Sequence, residues 1–504
     1  MLKKSLLVVG LFLSACAPQA AAELPAAVTT TPSSVPTETL IPSTPLPTRP
    51  AYDPGTLVEY TAQDGDNLIA LAARFNTSVD EILAANPNIP KSATTMPAGM
   101  PMQIPIYYRA YWGSAYRIIP DSQFVNGPAS VNFETQAFVD AQPGWLKDYR
   151  DYAGGKQRTG AGIVDLVATN FSVSPRLLLA LLEYQAGALS RPVMDPDLTY
   201  ELGYERRGYG GVYLQLVWAA NQLNNGYYEW RNGKLIEFDL NNGTIFRPDP
   251  WQNAASVALQ MYFNETLPAD QFDLAISPEG FAHLYASLFG DPWENDIAHL
   301  PGSLTQPEFR LPFSAGEVWA LTGGPHTGWG QGEPWAALDF APGEGHGCFG
   351  SSLFAIALAD GTVVRTDTGV VVLDLDGDGD ERTGWVIFYL HLGKTDRAQL
   401  GDHVLAGQPV GHPSCEGGES TGTHVHIARK YNGEWIEAAG ALPFVMEGWT
   451  AVEGGAPYVG SLTRLGYHVR ACTCSDAASA LTSAEAAVPL PTSEIQATEV
   501  TSNN

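Results

Sequence analysis

Gly422-Thr423-His424-Val425-His426 sets the reading of the chain. In an extended strand residues two apart share a face, so His424 and His426 present two imidazoles to the same side. Other strand-like runs surround this one: Leu353 to Ala359, Gly361 to Arg365, Gly369 to Leu373, Trp385 to His391 and Thr423 to Ala428, separated by Gly, Asp and Pro turns. The pattern predicts an antiparallel β-sheet. Seven of the ten histidines fall between His326 and His426, which gathers side chains suited to metal binding and proton transfer in one segment.

With Tyr389-Leu390-His391-Leu392 and Gly401-Asp402-His403-Val404-Leu405-Ala406-Gly407-Gln408, the Gly422–His426 motif closely resembles the lysostaphin-type zinc endopeptidases (the LytM and LasA, or beta-lytic, group) over roughly 312–445. The resemblance implies one Zn²⁺ per chain held by two His and one Asp. His426 matches the second His of the family's H-x-H pair, and Leu338-Asp339-Phe340 matches the segment carrying the Asp. Most members place the remaining His four residues before that Asp, where this chain has Trp335, which cannot ligate zinc. The beta-lytic branch carries a Gly-Gly-x-His segment further upstream, matched by Gly323-Gly324-Pro325-His326. The implied ligands are therefore His326, Asp339 and His426, and three protein ligands leave a tetrahedral zinc one open position for water. By the same resemblance His391 and His424 orient or deprotonate that water and stabilise the oxyanion. The Trp335 departure also admits a decayed site that binds no zinc. His346, His403 and His412 match no role and read as loop residues.

Asp374, Asp376, Asp378 and Asp380 alternate in a way that resembles the first half of a calcium loop. Trp385 stands where such a loop ends in Glu, so the stretch reads first as an acidic hairpin tip, with Ca²⁺ binding as the alternative.

At the other end, Lys3 and Lys4 precede an apolar run from Leu6 to Leu13, too short to span a membrane stably and suited to a secretory signal. Leu13-Ser14-Ala15-Cys16 resembles a bacterial lipobox. This implies acylation at Cys16, a membrane lipid anchor and an extracytoplasmic cell-envelope location, where thiols tend to be oxidised. Cys348, Cys415, Cys472 and Cys474 then allow three pairings; Cys348–Cys415 is one expected bridge, and Cys472–Cys474 is the least favourable geometrically.

Residues 17–55 are rich in Ala, Pro, Thr and Ser and read as an extended tether. From 56 to 106, a strand-like Leu57–Tyr60, Gly65-Asp66-Asn67-Leu68, two short helical patterns, Asn86-Pro87 and a closing Ile104-Pro105 together resemble a LysM domain. The resemblance implies a βααβ fold and binding of N-acetylglucosamine-containing glycan. Gly65, Asp66, Asn67, Asn86 and Pro87 are candidate sugar contacts, although the same residues serve as caps and turns.

Residues 107–310 carry helical patterns at Ile163–Phe171, Arg176–Gln185, Val212–Leu223 and Asn253–Phe263. Val173 to Gly187 resembles the opening helix of lysozyme-like lytic transglycosylase domains. Those enzymes place a catalytic Glu where this chain has Gln185, and an amide cannot protonate a glycosidic oxygen. Glu183, two residues earlier, points to another side of the helix. The segment thus reads as an inactive lysozyme-like module or an unrelated helical spacer.

The resulting order is a lipoprotein signal at 1–16, a tether at 17–55, LysM at 56–106, a helical domain at 107–310, a β-sheet metallopeptidase domain at 311–475 and an unstructured tail at 476–504: a multidomain α+β chain of 504 residues. A net charge of −27 without a Lys/Arg run argues against binding nucleic acid. The expected function is a peptidoglycan endopeptidase that cuts stem-peptide or cross-bridge bonds while docked on glycan. The rivals are a non-catalytic peptidoglycan-binding scaffold or hydrolase activator, and a glycosidase centred on the helical segment.

Overall fold

Strands Thr56–Thr61 and Pro101–Ile106 pair antiparallel around helices Leu68–Arg74 and Val79–Ala85, giving the βααβ order in the computed structural model, which describes residues 49–343, 347–473 and 476–483. Local chemistry fixes both helix starts. Asn67 accepts from Ala70 N at 2.9 Å, and Ser78 with Glu81 forms a reciprocal capping box.

The next segment is helical. Gly160–Phe171, Pro175–Ala186, Val212–Arg231, Ala254–Thr266 and Phe281–Phe289 surround a core rich in Leu, Tyr and Trp. Each sequence-derived helix is present, and Val212–Arg231 runs eight residues past the expected Leu223 end. No helix among the described residues is long and apolar enough to cross a membrane.

A nine-stranded sheet dominates the remainder. Its path runs His403–Val404, Gly361–Asp367, Val370–Asp374, Trp385–Leu390, Val425–Tyr431, Ala337–Pro342, Val318–His326 and Ala480–Thr482, with Glu434–Trp435 paired to Val425–Tyr431 off the path. Every pairing is antiparallel. One face contributes Leu338, Phe340, Val371, Leu373, Ile387, Tyr389, Val425 and Ile427 to a core of its own. The opposite face contributes Val370, Val372, Val386, Phe388, Leu390 and Ala428 to the core of the helical segment. A second sheet of four strands spans Val445–Met446 to Tyr467–Arg470.

Two expectations at the domain edges are corrected. The tail does not begin at 476: Ala480–Thr482 pairs with Val318–Ala320, and Leu481 is buried, because the outer strand of the sheet still has open hydrogen-bonding groups to satisfy. The tether ends before 55, since Arg49 pairs with Asp249 at 2.6 Å and lies over the Trp251 ring. Cys16 and the rest of 1–48, His346, Cys474 and 484–504 lie outside the described residues. The bridge Cys348–Cys415 is formed, and Cys472 is also disulfide-bonded.

Candidate metal centre

Three strands bring the donors together. His326 ends Val318–His326, Asp339 lies in Ala337–Pro342, and His426 in Val425–Tyr431 is its cross-strand partner. His326 Nε2 lies 3.1 Å from His426 Nδ1 and 3.2 Å from Asp339 Oδ1, and His426 Nδ1 lies 3.3 Å from the same oxygen. All three residues are buried.

The ring protons are committed elsewhere. His326 Nδ1 donates to the Gly324 carbonyl at 2.7 Å and His426 Nε2 donates to the Gly328 carbonyl at 3.1 Å, because a carbonyl can only accept. Two imidazole lone pairs and a carboxylate oxygen therefore face one another, and Asp339 Oδ1 has no hydrogen-bond partner. Such an arrangement is repulsive without a cation. Metal–ligand bonds of about 2.0–2.1 Å at tetrahedral angles put neighbouring donors roughly 3.3 Å apart, so the triangle fits a zinc ion. The carbonyls fix the tautomer of each ring, as the outer partners of a metal-binding histidine do.

Burial, with His424 and His426 close by, pushes His391 down to about 3. His391 Nδ1 donates to the Glu416 carbonyl at 2.9 Å and His424 Nδ1 to the Gly422 carbonyl at 2.8 Å, which makes Nε2 the acceptor in both rings. Their ring centroids are 4.5 Å apart, and His424 Nε2 is 3.7 Å from Asp339 Oδ1. All five residues border an open cavity of about 850 Å³.

Tyr458 also borders it and stacks on His326, with ring centroids 4.1 Å apart. It comes from a turn before the Gly460–Arg464 strand, and no spacing in the sequence marks it. Trp335 is directed elsewhere, under the Lys234 ammonium at 4.3 Å. His403 is exposed, and His412 bonds the Leu353 carbonyl.

Of the four aspartates in the acidic turn, Asp374, Asp376 and Asp378 lie close enough to share an ion, while Asp380 is paired with Arg382 at 2.7 Å. Asp374 is buried and its carboxylate accepts from Asp376 N and Gly379 N, which is the work of a turn.

The glycan candidates are largely engaged within the fold. Asp66 accepts from Tyr60, Gln63 N and Arg74. Asn86 pins its helix to the closing strand through Ile82 O, Gln103 O and Gln103 N. Gly65 faces the Arg231 guanidinium, and Asn67 donates to Arg231 O. Gly65 and Asn67 border a cavity of about 270 Å³ between this segment, the helical segment and the sheet, while Pro87 is exposed. Gln185 donates to Tyr262 and Thr266, and Glu183 accepts from Leu189 N and Ser190 N.

Comparison with known proteins accords with this architecture. The LysM domain model matches residues 60–105, and the model for the LasA N-terminal domain matches 117–303. The latter match relates the helical segment to LasA and lends no support to the lysozyme-like resemblance. Protease LasA of Pseudomonas aeruginosa strain UCBPP-PA14 is 25% identical over 343 residues, covering 64% of this chain and 75% of that protein. Beta-lytic metalloendopeptidase of Achromobacter lyticus is 28% identical over 157 residues, covering 30% and 39%. Among solved structures, the M23 metalloprotease pseudoalterin from the deep sea is 24% identical with a TM-score of 0.29, covering 33% of this chain and 96% of that one. The chain thus carries matches to the LysM and LasA N-terminal domain models, together with similarity to protease LasA and to beta-lytic metalloendopeptidase.

Proposed function

We propose that the chain is a zinc-dependent peptidoglycan endopeptidase of the cell envelope that hydrolyses stem-peptide or cross-bridge bonds. The observation that carries this reading is the triangle of His326, Asp339 and His426 donors, 3.1–3.3 Å on each side, with every ring proton turned outward. Zinc bound there would supply a Lewis acid and lower the pKa of a water. His391 and His424, their tautomers fixed by the Glu416 and Gly422 carbonyls, each offer an Nε2 to take a proton and hand it to the leaving amine. The LysM match supports docking on wall glycan, which raises the local concentration of peptide bonds. A lipid anchor through Cys16 belongs to the same reading, on the strength of the lipobox-like sequence alone.

The test is metal content together with product chemistry. Full-length chain purified under zinc-replete conditions should carry close to one zinc by mass spectrometry and release new amino termini from purified peptidoglycan. His326→Ala should lose most of both. A zinc-free wild type sinks the peptidase reading in favour of a scaffold, and new reducing ends without new amino termini would favour a glycosidase.

A further inference from the structure

The sheet face that carries the metal ligands is divided in two. On one side of Asp339 and His426, Val318, Ala320, Thr322 and Ala341 border the open cavity. On the other side the same face continues from His426 to its cross-strand partner Leu390, then through Ala428 and Phe388 to Val372. These apolar side chains are buried in one cluster with the helical segment, Phe171 among them.

A strap closes the boundary. The segment 327–336 crosses this face beside His426, with Gly328 O accepting from His426 Nε2 and the Trp329 ring edge-on to Phe388 at 5.8 Å. The helix Val212–Arg231 clamps it: Asn221 accepts from Gln331 N at 2.7 Å and Asn225 from Glu333 N at 2.9 Å. The fit is close enough that a Cβ on Gly330 would fall 2.5 Å from Asn221 and Phe171, and one on Gly332 would overlap the Asn225 amide. Trp435, which packs against Phe388, is tied to the helical segment through Phe171 O and Tyr228.

We propose that the helical segment acts as an internal stop in the substrate groove, so that a peptide extends from the metal over the open side and ends at Trp329 on the other. The intact chain then selects bonds near one end of a peptide. Asn221 and Asn225 are positioning residues for the strap. The inference rests on the peptidase reading above and adds a direction to it.

Two series of glycyl peptides test it, one bearing a hydroxamate at the C-terminus and one an N-terminal malonyl hydroxamate. Each places its residues on one side only of a bound metal. With zinc-loaded full-length chain, lengthening from one to four residues should tighten binding roughly tenfold or more in one series and less than about twofold in the other. Asn221→Ala/Asn225→Ala, and separately Trp329→Gly, should restore the gain in the silent series. Equal gains in both series with wild-type chain overturn the stop whatever the variants do. Absence of binding by either series to a chain shown to hold zinc overturns the peptidase reading, and the stop with it.

Discussion

Gly323 has no Cβ, and one built there would lie 2.5 Å from Asp339 Oδ2, its cross-strand partner's carboxylate. The first glycine of the Gly-Gly-x-His motif therefore has a steric purpose, because Asp339 occupies the space a side chain would fill. Gly324 is equally constrained by the backbone of Gly460. Gly323→Ala should displace the carboxylate and lower zinc affinity at least about tenfold, in the range seen when partners that orient a metal ligand are lost, with little change in overall fold by circular dichroism. Competition with a chelating dye checks it, and unchanged affinity would refute this account of the motif. The cluster of candidate ligands could be read because strand alternation puts His424 and His426 on one face and the Gly-Gly-x-His segment has a counterpart in the family it resembles. Tyr458 could not: it reaches His326 from a turn over a hundred residues later in the sequence.

At the level of elements, alternating or continuous apolar runs gave away the central strands, since Val370–Asp374 and Trp385–Leu390 are buried on both faces. The four-stranded sheet from Val445 to Arg470 is less legible, because most of its positions are half-buried or exposed and few are fully buried. Ala480–Thr482 escaped for a different reason. Its neighbours in the sequence are small and polar, and only the edge of Val318–His326 defines it as a strand. Leu481 fills the core beneath that edge, so Leu481→Ala should cost about 2–4 kcal/mol. A lowered thermal midpoint that leaves the zinc content unaltered would fit a purely structural role. An unchanged midpoint would mean that this strand contributes nothing to the sheet.

For the whole molecule, the three segments meet at a buried set of charges. His299 lies between Asp64 of the LysM segment at 2.5 Å and Glu434 of the sheet at 2.6 Å, while Arg231 of the long helix bonds Glu434 at 3.0 Å. Tyr227 donates to Glu434, and Asp121 faces Arg231 at 3.3 Å. None of this is visible in the sequence, since the partners lie more than a hundred residues apart in no repeating pattern. Burial alone would lower the His299 pKa, but Asp64 and Glu434 raise it to about 10 from 6.5. A raised folded pKa means that the folded state binds the proton more tightly. Its stabilisation is fully present below pH 6.5 and is lost as pH rises toward 10, each tenfold difference in proton affinity between the folded and unfolded chain being worth about 1.4 kcal/mol. Asp64 and Glu434 are held below their ordinary values by His299 and Arg231 despite burial, so their contribution is lost in the opposite direction, as pH falls through the acid range. The junction should accordingly be firmest in mildly acidic solution. The thermal midpoint of wild type should fall between pH 6.5 and 10, and His299→Gln should start lower at pH 6.5 and show a shallower fall. Parallel profiles for the two proteins would remove His299 from the account and leave Arg231 and Glu434 as the tie between the helical segment and the sheet.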